Sequence, residues 1–134
     1  MPLTLDLSPQ LLAVCRLTPD TPVDPAWFEI SGFVSVTRTE EELSLVVPVE
    51  HVPMDARSEV GFRALRVRGP LAFDEVGILA DLSGALAKES ISLLTLSTFD
   101  TDILLVREED LQRAVKALAR AGHRVEVSPT LTEP

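Results

Sequence analysis

The sequence predicts an α+β fold, an antiparallel sheet with two helices on one face, preceded by a smaller β-rich region. Three observations carry that prediction. Apolar residues recur at helical spacing twice, over Val76–Ala87 and Leu111–Ala121. Runs of β-forming residues at Phe62–Arg68, Ile91–Thr98, Thr101–Arg107 and His123–Val127 flank and separate those helices. Seven of the ten prolines, at positions 2, 9, 19, 22, 25, 48 and 53, fall in the first sixty residues and disfavour regular helix there. From Phe62 onward the order is therefore β-α-β-β-α-β, the split-βαβ or ferredoxin-like unit.

The elements follow from local chemistry. Leu11–Leu17 reads as a strand, and Thr18–Pro25 as a proline-rich turn. Asp24 is placed to cap a helical turn that has Pro25 at its first position, and Gly32 ends it. Phe33–Thr37 and Leu43–Val49 form a hairpin through Arg38–Glu42, and Glu50–Val60 reads as a loop. Gly69-Pro70 closes the strand Phe62–Arg68. Asp74 is the expected N-cap of the first helix, whose stripe is Val76, Leu79, Ala80, Ser83, Leu86 and Ala87. A tight turn at Phe99-Asp100 joins the next two strands. The second helix begins near Glu108-Glu109-Asp110, acids where the helix dipole favours them. Its stripe is Leu111, Ala114, Val115, Leu118 and Ala121, and Gly122 suits a left-handed C-cap. Leu93-Leu94 and Ile103–Val106 are apolar on both alternating faces, whereas a solvated face should alternate. That second face or its edge is expected to be covered by the N-terminal part, by a second copy of the chain, or by both.

Composition excludes several functions. The 134 residues fit one domain or two small subdomains, and 46% apolar residues suffice for a core. Twelve basic and twenty-one acidic residues give a net charge of −9, which argues against phosphate-mediated nucleic-acid binding and against adsorption to anionic membranes. Three basic and ten acidic residues put −7 of that charge in the first sixty residues. The N-terminus lacks a basic n-region and reads as no signal peptide, and no run reaches the ~18 apolar residues of a membrane span. A cytoplasmic protein is expected. The single cysteine, Cys15, lies in an apolar run and reads as a buried, inert thiol. His51 and His123 are far apart, no Cys/His spacing suggests a metal site, and no GxxxxGK[ST] or GxGxxG loop is present. No cofactor is implied, and the chain reads as a non-enzyme.

Two segments carry candidate chemistry. In Arg68–Leu79, Gly77 falls in the first helical turn, where glycine costs roughly 1 kcal/mol against alanine. Such a position admits either a ligand close to the backbone or close packing, beside helix-end N–H groups suited to a carboxylate. In Ser97–Asp102, two carboxylates and three hydroxyls share a hairpin tip. They either accept hydrogen bonds from an ammonium or guanidinium group or serve the turn itself. Topology brings a strand-to-helix loop near such a tip, which together would receive a zwitterion such as an amino acid. Arg57, Arg63, Arg66 and Arg68 form a basic run with few aromatics, read as a solubilising or ion-paired face.

The passage from Gly69 to His123 resembles ACT domains of the small tandem-ACT group, through its G-P-L-x-F-x-x-x-G-[IV]-L and S-T-F-D-T-D-x-x-L-V elements. It is similar to CASTOR-type amino-acid sensors and to the regulatory ACT domains of aspartate kinases. Val14–Leu17, Ser35–Thr39 and Glu42–Ser44 resemble the group's first, degenerate half. The resemblance implies a degenerate ACT-like subdomain over residues 1–60, an ACT domain over 61–128 and a flexible tail over 129–134. It implies a non-catalytic amino-acid sensor whose ligand is held at an interface between ACT units, by Phe73, Asp74, Glu75, Val76, Gly77 and Ile78 and by Ser97, Thr98, Phe99, Asp100, Thr101 and Asp102. A homodimer could supply the missing half of the pocket, and a partner protein would receive the signal of occupancy. The alternative is an oligomerisation or docking module with a vestigial ligand site.

Overall fold

The computed structural model describes residues 2–69 and 76–127. The chain divides into two compact units, Gln10–Phe62 and a second made of Met1–Pro9 with Arg63–Pro134. The expected division at residue 60 leaves the first nine residues with the N-terminal part, whereas they belong to the second unit.

In the N-terminal unit, β2 (Leu12–Leu17), β3 (Ser35–Arg38) and β4 (Leu43–Pro48) are antiparallel, in the order β3-β4-β2, and the first half of β5 (Arg57–Val67) pairs with β2. Ala13, Cys15, Leu17, Leu43, Leu45 and Val47 make its core. Trp27 and Ile30 cover that core from the 3-10 turn Pro25–Glu29 and its C-cap. Asp24 caps this turn as expected, its Oδ1 accepting from the Ala26 N–H at 2.9 Å. Gly32 has φ +110°, and the Gln10 amide occupies the space a Cβ would need. Gln10 braces the turn by donating to the Ser31 carbonyl at 3.2 Å and accepting from the Phe33 N–H at 3.3 Å. Strand β5 starts at Arg57, inside the stretch expected to be a loop. Pairing shifts register there, Leu12 facing Phe62 but Ala13 facing Val60, and Gly61 sits at φ +92°. This bulge breaks the two-residue alternation that would have revealed the strand. Cys15 is buried, and burial raises its thiol pKa, as an inert cysteine requires.

In the second unit, β6 (Leu93–Ser97) pairs with β7 (Asp102–Arg107), β7 with β5, β5 with β1 (Thr4–Leu7), and β1 with β8 (Arg124–Val127). The expected β-α-β-β-α-β order is present, with one addition. Strand β1 inserts between its first and last strands, antiparallel to β5 and parallel to β8. Leu5 and Leu7 of β1 enter the core with Leu65, Val67, Leu104 and Val106. The helices α1 (Ile78–Ala87) and α2 (Leu111–Arg120) supply Ile78, Leu82 and Leu86, and Ala114, Ala117 and Leu118. The α1 stripe differs from the expected one. Ala80 and Ala87 are exposed and Val76 is 91% exposed, because this nearly all-apolar helix carries competing stripes and periodicity alone selects the wrong one. In α2, Gln112, Arg113, Lys116 and Arg120 mark the outward face, and the stripe is nearly as expected.

Both helices end in Schellman motifs. Gly122 (φ +94°) holds the left-handed position after α2, with His123 N bonded to Leu118 O at 2.9 Å. After α1, Ser90 takes that conformation at φ 58°, with Ile91 N bonded to Leu86 O at 3.1 Å. His123 is buried, and its Nδ1 accepts from the Leu3 N–H at 3.1 Å, so the neutral ring carries its proton on Nε2. That atom lies 3.2 Å from Asp81 Oδ2 but is not aligned for a hydrogen bond. On the other face of β7, Ile103 and Leu105 are 4% and 1% exposed. Leu94 on the edge strand β6 remains 44% exposed.

Candidate functional site

The candidate site begins where α1 begins. Phe73, Asp74 and Glu75 lie outside the described residues, as does the expected cap by Asp74. Gly77 is the N-cap itself and not a first-turn residue. Its φ of +91° is a conformation that glycine adopts freely and other residues resist. Among the described residues, no atom lies within 4 Å of the position a Cβ would take. Among them, too, no side chain caps the helix, and its first intrahelical bond runs from Asp81 N to Gly77 O at 2.9 Å. The N–H groups of Ile78, Leu79 and Ala80 therefore have no intrahelical acceptor. Val76 is 91% exposed. The Ile78 side chain is in the core, so this residue offers a ligand only its backbone.

The hairpin tip between β6 and β7 is internally bonded. Ser97 Oγ donates to Asp102 Oδ1 at 2.7 Å. Thr98 N donates to Thr101 O at 2.8 Å, and Thr98 Oγ1 accepts from Thr101 N at 3.2 Å. Turn chemistry thus uses Ser97, Thr98, Thr101 and one oxygen of Asp102, and leaves Asp100 exposed. Phe99 is 81% exposed. Buried Thr101 sends its hydroxyl to the Val67 carbonyl at the end of β5, from which the chain runs toward Gly77. That bond ties the tip to the strand leading into α1. The Val67 carbonyl was invisible in the sequence, because a backbone acceptor leaves no side-chain signature.

Beside this strand end, Asp6 receives Arg68 at 2.5 Å and Arg66 at 3.4 Å, and Arg68 also reaches Glu126 at 2.9 Å. The Arg68 hydrogen bond holds the Asp6 carboxyl below its ordinary pKa, outweighing its partial burial. Glu126 is lowered likewise by Arg68 and Arg124. Arg63 pairs with Glu108 at 2.8 Å. Arg66 and Arg68 thus form an ion-paired face, Arg63 is ion-paired on the opposite, helix-bearing side of β5, and Arg57 has no ion pair among the described residues. Among the described residues, no three His, Cys, Asp or Glu side chains converge as metal ligands, and no helix is long and apolar enough to cross a membrane.

The second unit is a ferredoxin-like unit whose first helix starts at a left-handed glycine and whose β6–β7 hairpin tip is internally bonded. Residues 57–120 match the family model described as ACT domain, and residues 11–55 match a model described as an N-terminal domain. Residues 57–120 of the chain thus carry an ACT domain. It is 37% identical to a protein of known crystal structure from Agrobacterium tumefaciens, covering 96% of this chain and 95% of that one, with a TM-score of 0.87. Over 92 residues it is 34% identical to the human cytosolic arginine sensor for mTORC1 subunit 1, covering 68% of this chain and 27% of that protein. The chain thus spans about a quarter of the length of that curated relative. Its fold is similar to the regulatory subunit of aspartate kinase from Thermus thermophilus, at 10% identity and a TM-score of 0.62, covering 87% of this chain and 95% of that one.

Proposed function

We propose that this chain is a non-catalytic regulatory protein that binds a free amino acid where one ACT unit meets another, a second copy of the chain supplying the far wall. The observation that carries the reading is Gly77, an exposed left-handed N-cap behind which the N–H groups of Ile78, Leu79 and Ala80 have no intrahelical acceptor. Those groups and the positive helix end suit an α-carboxylate. Asp100, and the oxygen of Asp102 that Ser97 does not use, suit an ammonium or a cationic side chain. Since one relative is named as an arginine sensor, arginine heads the ligands to be tried.

A thermal-unfolding screen against the twenty amino acids tests the proposal. A ligand at ~100 times its Kd adds about 2.7 kcal/mol, which raises the midpoint by several degrees for a chain of this size. A selective rise that is lost in Gly77→Leu and in Asp100→Ala is expected. A folded protein that responds to no amino acid overturns it. A second reading, a docking module without a ligand, is favoured by the edge strand β6, which pairs only with β7 and exposes Leu94. Self-association that no amino acid alters would select that reading.

A further inference from the structure

The outer face of the N-terminal unit's sheet carries an arrangement that the amino-acid site does not use. Pairing sets Thr37 opposite Ser44, Ser44 opposite Arg16, and Arg16 opposite Arg57. Directly opposed residues share a face, so four side chains from four neighbouring strands stand in one row, two hydroxyls followed by two guanidinium groups. Like charges directly opposite on adjacent strands repel, and a carboxylate is the usual remedy. Neither arginine has one. Arg16 donates to the backbone carbonyl of Glu41 at 3.1 Å, and Arg57 makes no hydrogen bond or ion pair among the described residues.

This is not a shortage of acids. Residues 10–62 hold nine acidic and three basic side chains, a net charge of −6. The two arginines line a concave surface with Val14, Ser44, Glu42 and Glu59. Glu59 already has a partner of its own. In the second unit, by contrast, Arg63, Arg66, Arg68, Arg113, Arg120 and Arg124 each meet a carboxylate.

We infer that Arg16 and Arg57 form a binding site for a compact dianion, a phosphate group or a small dicarboxylate. Two guanidinium forks and the Ser44 hydroxyl supply the donors that oxyanions require. Glu42 at the rim disfavours an extended polyanion, and no aromatic residue lines the surface to stack a base.

The test uses the full chain at low ionic strength, with inorganic phosphate and malonate as probes and sodium chloride at matched ionic strength as the control. A saturable rise in unfolding midpoint beyond that of chloride is expected. Phosphate alone acting assigns the site to phosphate groups, and malonate alone assigns it to dicarboxylates. Arg57→Gln should weaken binding about tenfold or more, the loss of one charge-assisted contact. The same variant should raise the midpoint without anion, since it relieves the repulsion. Arg38→Gln, at the residue after Thr37 and on the opposite face, should leave the anion-induced rise unchanged. A response no larger than that of chloride overturns the site, as does one that survives both Arg16→Gln and Arg57→Gln.

Discussion

The two units treat helices and charge differently. The second packs α1 and α2 on its sheet and sets six arginines against carboxylates. The N-terminal unit covers its core with two short 3-10 turns, one followed by Ile30 and carrying Trp27 and one carrying Val49, and its three arginines have no carboxylate partner among the described residues, although it is the more acidic unit. Composition therefore does not imply pairing. Register decides which charges meet, and in the N-terminal unit it brings like charges together.

The largest effect expected from this contrast is in the cores. Leu82 and Leu45 are both fully buried. Leu82→Ala should cost about 4 kcal/mol, because α1 is held on both sides of the cavity, by the sheet and by α2. Leu45→Ala should cost nearer ~2 kcal/mol, because the short turn above it can settle into the space. Equal losses in urea unfolding would dissolve the distinction.

Asp6→Asn probes the ion-paired face. Removing a largely buried carboxylate shared by two half-exposed arginines should cost about 1–2 kcal/mol at neutral pH. Because the folded pKa of Asp6 lies below its ordinary value of 3.8, its contribution is present above pH ~4 and lost as pH falls through the folded value. The gap between wild type and variant in urea midpoint should therefore close in acid. A gap that persists at pH ~2 would show that packing, and not charge, is responsible. The smallest effect is at Ser90, a non-glycine residue in a left-handed C-cap. Ser90→Gly should stabilise by about 0.5–1 kcal/mol, read as a small rise in midpoint.

Much of this was legible in the sequence, and the exceptions have physical causes. The second helix was read nearly correctly because its charges leave only one apolar face. For the first, the expected stripe overlaps the buried face only at Leu79 and Leu86, because ILADLSGALA is apolar almost all round. Strand β1 has a clean alternation, Leu5 and Leu7 inward and Asp6 outward, but four residues beside prolines carry too weak a signal. The first half of β5 was hidden by the Gly61 bulge. At the candidate site, Gly77 stood out as a glycine, but its role as a left-handed N-cap is a property of the backbone. The arginine row depends on three pairings between strands, and no spacing within a single strand encodes it.

The central claim is that the open start of α1 and the β6–β7 tip hold an amino acid. The most direct measurement is a titration of the isotopically labelled protein, followed by amide chemical shifts, with the amino acid that most raises the unfolding midpoint. The account predicts saturable shifts concentrated at Val76–Ala80 and Ser97–Asp102, and their loss in Gly77→Leu. Shifts confined to other parts of the chain, or none at saturating ligand, would contradict it.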